Sequence, residues 1–151
     1  MSWFSKPPVL SVQVFEHIPP KKKMRYPMWT FARVKGTDLY YLILDKTKMQ
    51  FISERAFLSW GKPYVLVSEE SIAGYPKFKR IGFAVGTLLI SQADKTEWYI
   101  TGNDLLAPER RKIADPDFYT SLGFDLDDAY VVSLPEVDFH KKGEDIIDLG
   151  V

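Results

Sequence analysis

Residues 26–45 read Tyr-Pro-Met-Trp-Thr-Phe-Ala-Arg-Val-Lys-Gly-Thr-Asp-Leu-Tyr-Tyr-Leu-Ile-Leu-Asp. Two runs of β-formers flank Gly36-Thr37. A glycine opening a two-residue loop favours a type II′ turn, whose twist suits paired antiparallel strands. That turn sets Val34 against Leu39, Ala32 against Tyr41 and Thr30 against Ile43. On the opposite face it sets Arg33 against Tyr40, Phe31 against Leu42 and Trp29 against Leu44. Aromatic and aliphatic pairs of this kind contribute roughly 0.2–1 kcal/mol each. The face with Trp29, Phe31, Tyr40, Leu42 and Leu44 is the heavier and is expected to be core. The other face is also mostly apolar, so the hairpin reads as covered on both sides.

Working outward, residues 9–18 alternate well enough for a half-buried strand, ended by Pro19-Pro20. Residues 51–60 read as a short helix, with Ser53 as its cap and Gly61 as its stop. Residues 64–67 are a short apolar strand. Ser68 caps a single helical turn up to Tyr75, which Pro76 breaks. Lys77, Lys79 and Arg80 alternate with Phe78 and lead into residues 81–91, expected to be one long central strand. Residues 96–101 complete a second hairpin. Residues 108–114 read as a short polar helix, 116–122 as a helix opened by Asp115-Pro116, and 129–134 as a last strand. No internal repeat is evident.

The fold expected is mainly β, a barrel or sandwich of about six to eight strands with two or three short helices. An α+β sheet with helices on one side is the alternative. The chain divides into an N-terminal arm at 1–8, a single β-rich domain at 9–134 and an acidic C-terminal tail at 135–151.

The 151 residues contain no cysteine, which excludes disulfides, thiolate metal sites and thiol chemistry. The first residues lack the basic start and apolar run of a secretion signal. The longest apolar stretch, 81–90, is half of the ~20 residues that a membrane-spanning helix needs. A cytoplasmic location, or a place in a particle assembled inside the cell, is the expectation.

Charge is the most unusual property. The formal net charge is zero, yet residues 1–80 hold 14 Lys/Arg and 6 Asp/Glu, and residues 81–151 hold 6 and 14. Such a split bears on partners rather than on fold. It is neutralised within one fold, or it joins copies head to tail, or it presents a basic face to nucleic acid.

A search for chemistry nominates no catalytic, cofactor or metal residues. There are two histidines, His17 and His140, too few for a three-histidine zinc site. Nucleophile-elbow, dinucleotide and P-loop patterns are absent. Asp125, Asp127 and Asp128 lack the glycine and distal glutamate of a calcium loop and read as a solvated turn. Absence of a motif does not exclude catalysis, but it makes an enzyme the least supported class.

The leading expectation is a non-enzymatic structural or interaction subunit of a larger assembly, of which a virus particle is one example. It works by self-association or with protein partners. Trp3 and Phe4 are the aromatic anchors of the arm. Lys21, Lys22, Lys23 and Arg25 are the positive contact, and Ile146, Ile147 and Leu149 the contact of the tail. The alternative is a nucleic-acid-binding module that uses Lys21, Lys22, Lys23 and Arg25 together with Lys77, Lys79 and Arg80.

Overall fold

The computed structural model describes residues 26–121 and 126–147. The expected strand at 9–18 and the arm at 1–8 lie outside them. The described chain forms two compact units, one ending at Ile81 and the other beginning at Gly82. Nine strands lie in two mixed sheets, with four short α-helices and one 3-10 turn among the described residues. The fold is mainly β as expected, and among the described residues neither sheet closes into a barrel.

In the N-terminal unit, β1 (Thr30–Val34), β2 (Tyr40–Ile43) and β3 (Lys48–Gln50) form an antiparallel meander. Helix α1 (Glu54–Ser59) then carries the chain to β4 (Val65–Val67), which lies parallel to β1. The sheet order is β3-β2-β1-β4. Helix α2 (Glu69–Ile72) follows. The chain then returns beside β3 as an extended ribbon, with parallel bridges Lys48–Lys77 and Phe51–Ile81.

The hairpin register is the one its sequence dictates: Thr30–Ile43, Phe31–Leu42, Ala32–Tyr41 and Arg33–Tyr40. The turn differs. The carbonyl of Val34 accepts both the N–H and the hydroxyl of Thr37, at 3.1 and 2.8 Å. The N–H of Leu39 donates to Thr37 Oγ1. The Thr37 side chain thus takes the place of a backbone partner. Gly36, with φ of 75°, falls at the second central position of the turn.

Both hairpin faces are covered. On one, Phe31 and Tyr40 pack with Phe51, Phe57 and Trp60 around α1, with ring centroids 4.6 to 6.1 Å apart for the contacts of Phe31 and Tyr40. Tyr40 donates from its hydroxyl to Glu54 at the start of that helix. On the other face, Ala32, Val34, Tyr41 and Ile43 bury against Val67, Ile72 and Tyr75. Trp29, expected in the core, is 40% exposed. Its backbone has a φ of 68°, and its ring packs against that of Trp60 with centroids 6.3 Å apart.

The C-terminal unit contains β5 (Leu88–Ser91), β6 (Glu97–Thr101), β7 (Glu109–Lys112), α3 (Pro116–Ser121), a 3-10 turn (Leu126–Asp128), β8 (Tyr130–Val132), α4 (Leu134–Asp138) and β9 (Lys141–Lys142). The sheet order is β8-β5-β6-β7-β9, with β8 parallel to β5 and β9 parallel to β7. Two sequence expectations are corrected here. Residues 109–112 are a strand rather than a polar helix, because pairing to β6 on one side and β9 on the other satisfies an extended backbone. The apolar run 81–91 is not one strand: Ile81 closes the first unit, and β5 starts at Leu88. The stretch expected as a polar tail supplies α4 and β9.

The two units are the same fold repeated, contrary to the sequence reading. Each runs through three antiparallel strands, a helix, a strand parallel to the first, a second helix, and a ribbon parallel to the third. The details correspond bond by bond. Lys35 N–H donates to Val67 as Gln92 does to Val132. Phe51 donates to Tyr40 as Ile113 does to Glu97. Ile52 donates to Ile81 as Ala114 does to Ile146. Trp29 and Gly86, which donate to Ile43 and Ile100, share a positive φ, 68° and 93°. Both returning ribbons carry one extra residue. Four positions separate Lys77 from Ile81 where three separate Lys48 from Phe51. The same holds for Lys142 and Ile146 against Arg110 and Ile113.

Candidate interaction edges

The repeat separates structural charges from available ones. Lys48 and Arg110 hold equivalent places on the third strand of each unit. The Lys48 ammonium lies 5.3 Å from the centroid of the Tyr41 ring and donates to the Ile72 carbonyl at 2.9 Å. The Arg110 guanidinium lies 4.3 Å from the centroid of the equivalent ring, Trp98. It donates to the His140 carbonyl at 2.9 Å and approaches Asp138 at 3.6 Å. Both cations are committed to tying the sheet to the segment around the second helix. Burial, and then the neighbouring charge of Lys77, hold the Lys48 ammonium below its usual pKa.

Outside Lys48 lies the returning ribbon. Lys77, Phe78, Lys79 and Arg80 are all exposed. Pro76 and Phe78 use their backbone groups inward, through Lys48 N–H to the Pro76 carbonyl and Phe78 N–H to the Lys48 carbonyl. By strand alternation, the backbone of Lys77 faces outward. Phe78 is 54% exposed, with the Lys79 ammonium 5.7 Å from its ring centroid. Among the described residues the ribbon is therefore an outermost edge, carrying three cations and an exposed aromatic ring.

The equivalent ribbon of the C-terminal unit carries different charges. Lys141, Lys142, Glu144 and Asp145 are exposed. Gly143 N–H donates to the Arg110 carbonyl, as Phe78 does to Lys48. Lys77 and Lys142 correspond, but Lys79 gives way to Glu144 and Arg80 to Asp145. Two cations of one edge are thus replaced by two anions at the same places on the other. The Glu144 carbonyl is fixed by Arg111 Nε at 2.8 Å.

Among the residues nominated from sequence, Lys77, Lys79 and Arg80 are brought together on this edge. Ile146 is not a tail contact: it is 4% exposed and bridges to Ile113. Ile147 is 77% exposed. Trp3, Phe4, Lys21, Lys22, Lys23, Arg25 and Leu149 lie outside the described residues. Glu144 and Asp145 fall within the acidic tail read from the sequence at 135–151. Their correspondence to Lys79 and Arg80 becomes visible once the ribbons are matched.

Of the two histidines, His140 is described and is structural. It is 2% exposed. Its Nε2 accepts the Phe83 N–H at 3.1 Å, so its Nδ1 carries the proton that it donates to the Pro108 carbonyl at 3.2 Å. No group of three or more His, Cys, Asp or Glu side chains suited to a metal ion occurs among the described residues. No helix among them is long and apolar enough to cross a membrane. Comparison of the chain with protein-family models, with curated proteins and with solved structures gives no match.

Proposed function

We propose that this chain is a non-enzymatic interaction subunit of a larger assembly, joining copies of itself or protein partners through charged sheet edges. The observation that carries this reading is the exposed ribbon with Lys77, Lys79 and Arg80, whose counterpart in the other unit bears Glu144 and Asp145. An outermost strand is a ready template for a further strand, and charge on it selects which strand is accepted. The setting of such a subunit is the cytoplasm or a particle assembled inside the cell, a virus particle being one example.

A second reading is favoured by Phe78. An exposed ring among cations suits a single-stranded nucleic acid, whose bases stack while its phosphates meet the cations. One variant tests both. Replacing Lys77, Lys79 and Arg80 by Gln should abolish salt-sensitive self-association if the edge joins proteins. It should abolish salt-dependent oligonucleotide binding if the edge meets nucleic acid. A variant that keeps every interaction of the parent chain refutes the basic edge as a binding site.

A further inference from the structure

We infer that the occupant of the basic edge is the ribbon bearing Glu144 and Asp145 of a second copy of this chain. The inference rests on the proposed function and names the partner. Three observations converge on it. First, among the described residues both ribbons are the outermost elements of equivalent sheets, each bonded inward to the third strand of its unit. Each can therefore receive one more strand on its open side.

Second, the charges at matching positions are opposite. Lys79 and Arg80 on one ribbon stand where Glu144 and Asp145 stand on the other, and all four are exposed. The basic edge, with Lys77, Lys79 and Arg80 all exposed, repels its own copy, whereas the other ribbon offers the anions Glu144 and Asp145 at the matching positions. Like-charge repulsion of this kind is how an interface rejects a wrong partner. An antiparallel register that sets Arg80 against Glu144 and Lys79 against Asp145 gives each cation an anion directly opposite, with Lys142 only at the diagonal of Arg80.

Third, the charge bias extends over the whole of each repeat. Residues 26–81 hold nine Lys/Arg and five Asp/Glu, while residues 82–147 hold six and thirteen. Long-range attraction then steers the N-terminal unit of one copy toward the C-terminal unit of another. Each copy carries one edge of each kind, so the contact is heterologous.

The test is a charge swap. Lys79→Glu with Arg80→Asp gives a chain acidic at these positions on both ribbons. Glu144→Lys with Asp145→Arg gives a chain basic at both. All four side chains are exposed, and unchanged melting of each variant confirms folding. Each variant alone should remain monomeric in low salt under conditions where the parent chain associates. An equimolar mixture should regain a mass of two chains or more. A mixture that stays monomeric beside an associating parent chain overturns the edge-to-edge inference and leaves the broader reading standing. A parent chain that is monomeric throughout, with no loss of any binding on neutralising Lys77, Lys79 and Arg80, overturns both.

Discussion

Tyr75 and His140 occupy the same position in the two units and make the same bond with different chemistry. Tyr75 Oη accepts the N–H of Tyr26 at 2.9 Å, and His140 Nε2 accepts the N–H of Phe83 at 3.1 Å. In each unit a side chain just after the second helix pins the backbone that leads into the first strand. Both acceptors are buried, so losing one leaves a peptide N–H without a partner.

Removing these acceptors should therefore destabilise. Tyr75→Phe keeps the ring and removes only the oxygen, at an expected cost of about 1–2 kcal/mol. His140→Ala removes two hydrogen bonds and leaves a cavity, and about 3 kcal/mol is expected. Urea denaturation measures both. A Tyr75→Phe chain as stable as the parent contradicts the role given to that oxygen.

His140 also sets a pH dependence. Burial, with the neighbouring Arg110 adding to it, holds its pKa below the usual value, although the bond to Pro108 opposes this. The unfolded chain then takes up a proton near pH 6.5, while the folded chain resists it until lower pH. Stability contributed by neutral His140 is full above about pH 6.5 and falls as pH drops from there toward the folded pKa. Below that pKa it changes no further. Denaturation midpoints between pH 7.5 and 5 should show the decline, and His140→Phe should flatten this part of it.

Helix caps should behave alike in the two halves. Ser68 accepts from the Ser71 N–H and Ser133 from the Glu136 N–H, at equivalent positions. Ser133 also belongs to a reciprocal capping box, its own N–H donating to Glu136. Either serine changed to Ala should cost about 1 kcal/mol, with the larger loss at Ser133. Thermal melting of the two variants checks the order.

The hairpin turn gives a sharper test. Gly36 has a φ of 75°, a conformation costly for any β-branched residue. Gly36→Val should lower stability by at least about 1 kcal/mol. Melting indistinguishable from that of the parent chain removes the turn as a determinant of register.

The hairpin was legible because its pattern is local: apolar faces on both strands and one glycine fix the pairing of Phe31 with Leu42. The helix capped by Ser53 was legible for the same reason. β3 and β7 were not, because the short, largely polar segments Lys48–Gln50 and Glu109–Lys112 are held as strands by partners on both sides, one of which, the returning ribbon, lies about 30 residues further along the chain. The repeat was hidden by substitutions that keep geometry and change chemistry, Tyr75 for His140 and Tyr41 for Trp98. The connection between β6 and β7 is also longer than that between β2 and β3. The edges were half legible. Lys77, Lys79 and Arg80 stood out as cations, but their relation to Glu144 and Asp145 depends on matching two ribbons far apart in the chain.

Joining copies through unlike edges makes solution mass the decisive quantity. Light scattering over a range of protein concentrations should give, in low salt, a mass above the 17.4 kDa of one chain. That mass should fall toward one chain as salt screens the contact. A mass of one chain at every salt and protein concentration would contradict self-association through these edges.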